Sequence, residues 1–177
     1  VNGVAVGVGV TMLLPMDVRL ASSDSRFGFV FPQRAIVLEA ASSWFLPRLV
    51  GMGQAQEWAL TGRIFDADEA LRGGLVRSTH APDELLPAAR ALAAEMSEST
   101  SAISVAMNRQ LLWRMAGEPH PMAAHRVDSR AVPQLGGSPD GVEGVESFLE
   151  KRPARFTGDP ATDMPDVFPW FTEPEFE

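Results

Sequence analysis

Apolar residues dominate the first six positions of the chain, VNGVAV, and then alternate with glycines. A short apolar run bounded by turn residues is typical of a buried strand. The next segment, VGVTMLLPM, predicts a short helix that Pro15 helps to end. After it, DVRLASS alternates Val18 and Leu20 with the polar Arg19, which predicts a second strand.

Farther along, the apolar spacing becomes helical. EAASSWFLPRLVG, residues 39–51, predicts a helix that ends at Gly51. Apolar residues also recur at helical spacing in two later segments, 85–93 and 103–115. Asp66 with Glu69, and Ser138 with Pro139, are typical of helix starts.

The last stretch, from Pro153, mixes prolines with aromatic residues. The prolines exclude a long helix, and the aromatic side chains predict a tail that packs against a surface. These aromatic residues are Phe156, Phe168, Trp170, Phe171 and Phe176.

Composition restricts the classes of function. A net charge of -8 argues against a nucleic-acid partner, because neutralising phosphates requires a basic surface. The absence of cysteine excludes disulfides and thiolate metal sites and is compatible with a reducing cytoplasm, which we take as the expected location. The apolar runs are too short for a membrane span, and the three histidines lack the spacing of a metal site. We therefore expect no membrane partner and no metal.

The glycines at positions 3, 7 and 9 raise the question of what they do. A dinucleotide fingerprint needs a third glycine where Met12 stands, and no Gly-Lys-Ser/Thr loop occurs. Two interpretations remain. The glycines either form a tight turn, or they let a backbone amide approach a developing oxyanion. Their spacing alone leaves both open.

Four blocks, in order, resemble the crotonase (enoyl-CoA hydratase/isomerase) superfamily. They are NGVAVGVGVTMLLPMDVRLASSDSRFGF, LPRLVG, ALTGRIFDADEALRGGLV and SPDGVEGVESFLEKRPARF. The resemblance covers the chain to about Gly158. It implies an α/β fold with a layered sheet core, residues 1–116, and a C-terminal helical trimerisation region with the aromatic tail, residues 117–177. It also implies that an N-terminal segment, with the first strands and one oxyanion amide, is absent from this chain.

The resemblance assigns roles near the glycines. The position that supplies an oxyanion amide in the family corresponds to Val8, beside the substrate-binding Gly7. A backbone amide survives substitution, although a β-branched residue is disfavoured if this position needs a positive φ. The two catalytic glutamates of the hydratases correspond to Thr11 and Phe31, neither of which is a carboxylate. Hydration by two glutamates is therefore not expected.

One carboxylate, Glu39, matches the position of the single catalytic glutamate in the enoyl-CoA isomerase branch. A lone carboxylate can move a proton from C2 to C4 of a 3-enoyl thioester. We expect the apolar neighbours Ile36, Val37 and Leu38 to remove water from it. The alternative is a glutamate at a helix start without a chemical role.

The resemblance also implies how the substrate is held. Phe31 and Trp44 are candidates for substrate binding, with Trp44 either in the core or lining an acyl pocket. Phe148 and Lys151 are candidates for contacts with coenzyme A. Their spacing predicts that Phe148 and Lys151 share one helix face, as they also would on a solvated amphipathic helix. Coenzyme A would be part of the substrate, so no separate cofactor is expected. A homotrimer or a dimer of trimers is the expected assembly.

These observations favour an acyl-CoA enzyme that shifts a double bond through an oxyanion-stabilised enolate, with Glu39 as proton shuttle and the Val8 amide as oxyanion donor. Hydration of an enoyl-CoA with an atypical base is the second interpretation. A protein that binds acyl-CoA, or serves as a scaffold, without catalysis is the third.

Overall fold

Strands and helices alternate in the first part of the chain, and helices make up most of the second. The computed structural model describes residues 1–168, 172, 174 and 175. Chain contacts divide it into two units, Val1–Ala91 and Leu92–Glu177. The regions 1–116 and 117–177, which rest on the resemblance, stay a prediction.

The first unit contains most of the short elements. They are β1 (Val4–Val6), α1 (Val8–Thr11), β2 (Leu20–Ser22), β3 (Arg26–Gly28), a 3-10 turn (Phe31–Arg34), α2 (Ser42–Val50), α3 (Met52–Thr61), β4 (Ile64–Asp66), α4 (Ala67–Arg72) and β5 (Ser78–His80). The division between the units falls within α5 (Leu85–Ser97), and α6 (Ala102–Met115), α7 (Met122–Gly136) and α8 (Pro139–Glu150) follow.

The strands form two small sheets. Strand β1 pairs in parallel with β3, which pairs antiparallel with β4, and β2 pairs in parallel with β5. Val6 lies opposite Gly28 in this register, and the Gly7 amide donates to the Gly28 carbonyl at 3.0 Å. The end of β1 is thereby held next to the end of β3. Strands β4 and β5 were not predicted, because their three residues, and those beside them, show no clear alternation of apolar and polar positions.

A stack of aromatic rings forms the centre of the first unit. The rings of Trp58 and Phe65 are 4.2 Å apart and nearly parallel, and Phe29 lies beside both. The Trp58 indole donates to Glu69 at 2.7 Å, and Arg63 donates to the same carboxylate. These donors, Arg63 foremost, lower the pKa of Glu69. The stack is therefore anchored at its edge by an ionic network.

In the second unit α7 packs against both α6 and α8. A buried carboxylate, Asp140, connects three segments. It accepts hydrogen bonds from the Ser101 hydroxyl at 2.6 Å and from the amides of Thr157 and Gly158 at 2.8 and 3.1 Å. Burial opposes ionisation of Asp140, but these hydrogen bonds together outweigh it and lower its pKa. The segment after α8 is thereby tied to the start of α6.

The predicted packing of the aromatic tail is confirmed where the structure describes it. Val167 is fully buried, and Phe168 packs against the cluster that it forms with Met107 and Val127. The Arg114 guanidinium lies 4.5 Å from the centre of the Phe168 ring. Trp170, Phe171 and Phe176 lie outside the described residues.

Three sequence predictions agree closely with the observed elements. Gly51 follows the last residue of α2 at a φ of 77°. The Asp66 carboxylate accepts the Glu69 amide at the start of α4, and the Ser138 hydroxyl accepts the Gly141 amide at the start of α8. Within the described residues no helix has the length and apolar character needed to cross a bilayer, and no group of three or more His, Cys, Asp or Glu side chains is placed to hold a metal ion.

Candidate active site

The turn between β1 and α1 depends on Gly7. Its φ of 57° and ψ of -125° match the first central residue of a type II′ turn, where glycine is strongly favoured. Val8 is the first residue of α1. It is not among the described non-glycine residues that have a positive φ. The β-branched Val8 is thus free of the strain that a positive φ would impose.

The Val8 amide has the properties of a ligand donor. As the first N–H of a helix it has no intrahelical acceptor. The Gly7 amide is directed to Gly28, and the Gly7 carbonyl accepts the amides of Val10 and Thr11 at 3.1 and 3.2 Å. The peptide group between Gly7 and Val8, which carries the Val8 N–H, is therefore held by β3 on one side and by α1 on the other.

A contact between distant segments brings Glu39 to α1. The hydroxyl of Thr11, the last residue of α1, donates to Oε1 of Glu39, which is 28 residues away in sequence. Thr11 is fully buried, and its Oγ1 also lies 3.3 Å from the Val8 carbonyl oxygen. The predicted base thus lies beside the helix that carries the predicted oxyanion amide. In the sequence Thr11 stands out only as the position where a hydratase glutamate is missing, and no spacing indicates this contact.

The prediction that a helix begins at Glu39 is wrong by three residues. Helix α2 starts at Ser42, after Ala40 and Ala41 at φ angles of 49° and 53°. The buried Ser42 donates to the Glu39 carbonyl from both its amide and its hydroxyl, at 2.9 and 2.6 Å. These bonds close a left-handed turn before the helix. Residues other than glycine in this conformation are unfavourable and cluster at functional sites.

The expected removal of water from Glu39 by its neighbours is also wrong for this chain. Glu39 is exposed, and Ile36 and Val37 are 57% and 83% exposed. Both residues lie in the segment before Glu39 that has no regular secondary structure. Val8 and Met12 are exposed as well. Apolar side chains therefore flank both partners of the contact between Thr11 and Glu39.

Phe31 and Trp44 have different surroundings. Phe31 begins the 3-10 turn and is buried in the hydrophobic core of the first unit. Trp44, in α2, is half-buried and meets Phe45 edge to face, with ring centres 4.8 Å apart. The Arg48 guanidinium lies over the Trp44 ring, 3.9 Å from the ring centre. The roles of Phe31 and Trp44 in substrate binding stay predictions.

Phe148 and Lys151 do not share one helix face, which corrects the prediction from their spacing. Phe148 lies in the last turn of α8 and is 80% exposed. Lys151 follows the helix in a left-handed conformation, at a φ of 55°, so helical spacing does not set its direction. Both side chains are exposed, and their role in binding coenzyme A stays a prediction.

An ionic clamp holds the turn that contains Lys151. Arg152 donates to both oxygens of Glu143, at 2.6 and 2.9 Å, and the Arg155 amide donates to the same carboxylate at 2.6 Å. The hydrogen bonds from Arg152, followed by the one from the Arg155 amide, lower the pKa of Glu143 to about 2. The chain after α8 is therefore attached to the middle of that helix.

Most of the chain matches one family model. The model described as enoyl-CoA hydratase/isomerase matches residues 1–159. The chain belongs to this family. The resemblance inferred from the four sequence blocks is confirmed.

Individual relatives carry related names. An enoyl-CoA hydratase from Alternaria alternata is 41% identical over 157 residues, which are 88% of this chain and 52% of the relative. A probable enoyl-CoA hydratase from Rhodobacter capsulatus is 36% identical over 89% of this chain and 61% of its own length. The 1,2-epoxyphenylacetyl-CoA isomerase of Escherichia coli is 29% identical over 89% of this chain and 60% of its own length.

A solved structure agrees with the fold. The crystal structure of a probable enoyl-CoA hydratase/isomerase from Mycobacterium abscessus matches with a TM-score of 0.84 at 31% identity, over 90% of this chain and 62% of the other. The predicted crotonase-like α/β fold is confirmed. The chain spans between half and two thirds of the length of these relatives.

Proposed function

We propose that the chain belongs to an acyl-CoA enzyme that shifts the double bond of an enoyl-CoA, with Glu39 as the proton shuttle and the Val8 amide as an oxyanion donor. The observation that carries this proposal is the contact between Glu39 and Thr11 on the helix that begins at Val8. It connects the proposed base to the helix whose first amide is the proposed oxyanion donor. The positions of the two hydratase glutamates hold Thr11 and Phe31.

The reaction needs one base that later acts as an acid. Glu39 removes a proton from C2 of a 3-enoyl thioester, and the electron pair moves into the thioester carbonyl to form an enolate. The Val8 N–H stabilises the enolate oxygen, and such a donor contributes about 3 to 4 kcal/mol. The protonated Glu39 then returns the proton at C4 while the double bond forms between C2 and C3. Protons and charge balance without a further reactant.

The acyl chain would cover the exposed apolar side chains around the site. Val8 begins α1 and Met12 follows it, and Ile36 and Val37 precede Glu39. An apolar ligand that covers this surface excludes water from Glu39, which strengthens its electrostatic interactions with the reacting atoms. The bound acyl chain would therefore shield Glu39 from water, which the free chain does not do.

Other parts of the proposal rest on the resemblance. Phe148 and Lys151 contact coenzyme A, which is part of the substrate, and no separate cofactor takes part. Phe31 and Trp44 line the acyl site, and the assembly is a homotrimer or a dimer of trimers. A cytoplasmic location remains a prediction from the cysteine-free sequence.

Hydration of a 2-enoyl-CoA is the second candidate, because several relatives are named hydratases. In that reaction Glu39 would remove a proton from a water molecule instead of from C2 of the thioester. Both reactions use the same oxyanion donor, so the substrates separate them.

The test measures both reactions on one purified chain. Wild type, Glu39→Gln and a control, Glu84→Gln, are incubated with 3-enoyl-CoA and 2-enoyl-CoA substrates of short and medium chain length. Glu84 is an exposed glutamate of the same unit, outside the site. We expect isomerisation to fall by about 10²- to 10⁴-fold in Glu39→Gln alone, the usual contribution of general acid–base catalysis. Titration calorimetry with a CoA thioester should give similar affinities for all three proteins.

Each outcome has a distinct meaning. Undiminished turnover of Glu39→Gln on both substrates refutes the assigned role of Glu39. Conversion of the 2-enoyl substrate alone supports hydration. Thioester binding by wild type without conversion of either substrate supports the non-catalytic interpretation.

A further inference from the structure

We propose that Thr11 is a positioning residue for Glu39, an inference that rests on the proposed function. The side chain of Glu39 extends from an exposed segment without helical structure, where a glutamate samples many rotamers. One described contact restrains its carboxylate, the hydrogen bond from the Thr11 hydroxyl. Thr11 itself is fully buried at the end of α1, so the donor is rigid.

The backbone and the side chain of Glu39 are held by different residues. The Glu39 carbonyl accepts the amide and the hydroxyl of Ser42, which is also fully buried. Oε1 of the carboxylate accepts the hydroxyl of Thr11. These attachments to two buried residues fix the glutamate at both ends. The second carboxylate oxygen, Oε2, is the one that we assign to proton transfer.

The chemistry of the hydroxyl sets the direction of the hydrogen bond. Threonine has one O–H proton, and an ionised carboxylate can only accept. The proton therefore points to Glu39, and the Val8 carbonyl at 3.3 Å is the weaker of the two acceptors near Oγ1. Thr11 thereby holds the proposed base against the helix whose first amide is the proposed oxyanion donor. Loss of the hydroxyl should misplace the base and leave the thioester affinity unchanged.

The test compares substitutions that separate the hydroxyl from the shape of the side chain. Thr11→Val keeps the branched shape and removes the hydroxyl, and Thr11→Ser keeps the hydroxyl. Thr61→Val is the control, because the Thr61 hydroxyl bonds to the Glu57 carbonyl at the end of α3, away from Glu39. For each protein we would measure kcat and KM for isomerisation, together with the thermal melting temperature.

We expect kcat of Thr11→Val to fall by about 10- to 100-fold, the worth of a hydrogen bond to a charged group, with KM within about twofold. Thr11→Ser should recover most of kcat. The melting temperature of Thr11→Val should stay the same or rise, because the buried site loses a polar group and keeps its packing. A purely structural role would instead lower stability without a selective effect on kcat.

Glu39→Gln is measured in the same series to separate the two levels of the proposal. If Glu39→Gln is inactive and Thr11→Val matches wild type in kcat, the positioning role is refuted and the proposed base remains. If Glu39→Gln is fully active, the proposed function itself fails. A Thr11→Val protein with low kcat that Thr11→Ser does not restore also refutes the positioning role.

Discussion

Replacing Gly7 by alanine tests whether the turn that aims the Val8 amide depends on backbone conformation alone. A Cβ atom at position 7 has no heavy atom within 4 Å, so the substitution creates no clash. The φ of 57° with a ψ of -125° nevertheless disfavours any residue with a Cβ. Holding such a residue there costs about 1 to 3 kcal/mol. The protein either bears this strain or relaxes the turn.

Both responses can be measured. If the turn is retained, the melting temperature falls by about 2 to 4 °C for each kcal/mol in a chain of this size. If the turn relaxes, the Val8 N–H is aimed elsewhere, and the loss of one oxyanion donor lowers kcat by about 10²- to 10³-fold. Circular dichroism melting and the isomerase assay on the same samples distinguish the two responses.

Gly9→Ala is the matched control for stability. Gly9 also has open space at its Cβ position, lies within α1 and lacks a positive φ. Alanine there should leave the melting temperature unchanged or raise it, since alanine is the better helix former. A Gly7→Ala protein with the melting temperature and turnover of wild type would refute the argument.

Two further predictions concern stability. Glu143 has a folded pKa of about 2, below its ordinary value of 4.5. Its contribution to stability is therefore complete above about pH 4.5 and is lost as the pH falls towards 2, so urea denaturation of Glu143→Gln should depend less on pH in this range. An equal pH dependence in both proteins would contradict this. Gly73→Ala should destabilise by about 1 to 3 kcal/mol, because its Cβ would lie 2.4 Å from the Trp58 ring. Gly53→Ala, with open space in α3, is the control, and equal melting temperatures of the two variants would contradict the clash.

The sequence by itself determined several local elements and the family. The apolar run before Gly7 predicts β1, and the serine before Pro139 predicts the start of α8, because strand burial and helix capping depend on neighbouring residues. The four blocks identified the family, since residue types in a fixed order are read directly from the chain.

Only the tertiary structure decided which residues meet at the site. Thr11 and Glu39 are 28 residues apart, and no local pattern connects a buried hydroxyl with an exposed carboxylate. The left-handed turn at Ala40 and Ala41 was equally unpredictable, because alanine favours a helix and the burial of Ser42 after the turn is set by the rest of the fold. Long-range hydrogen bonds and burial select these conformations against local preference, and they exist only in the folded chain.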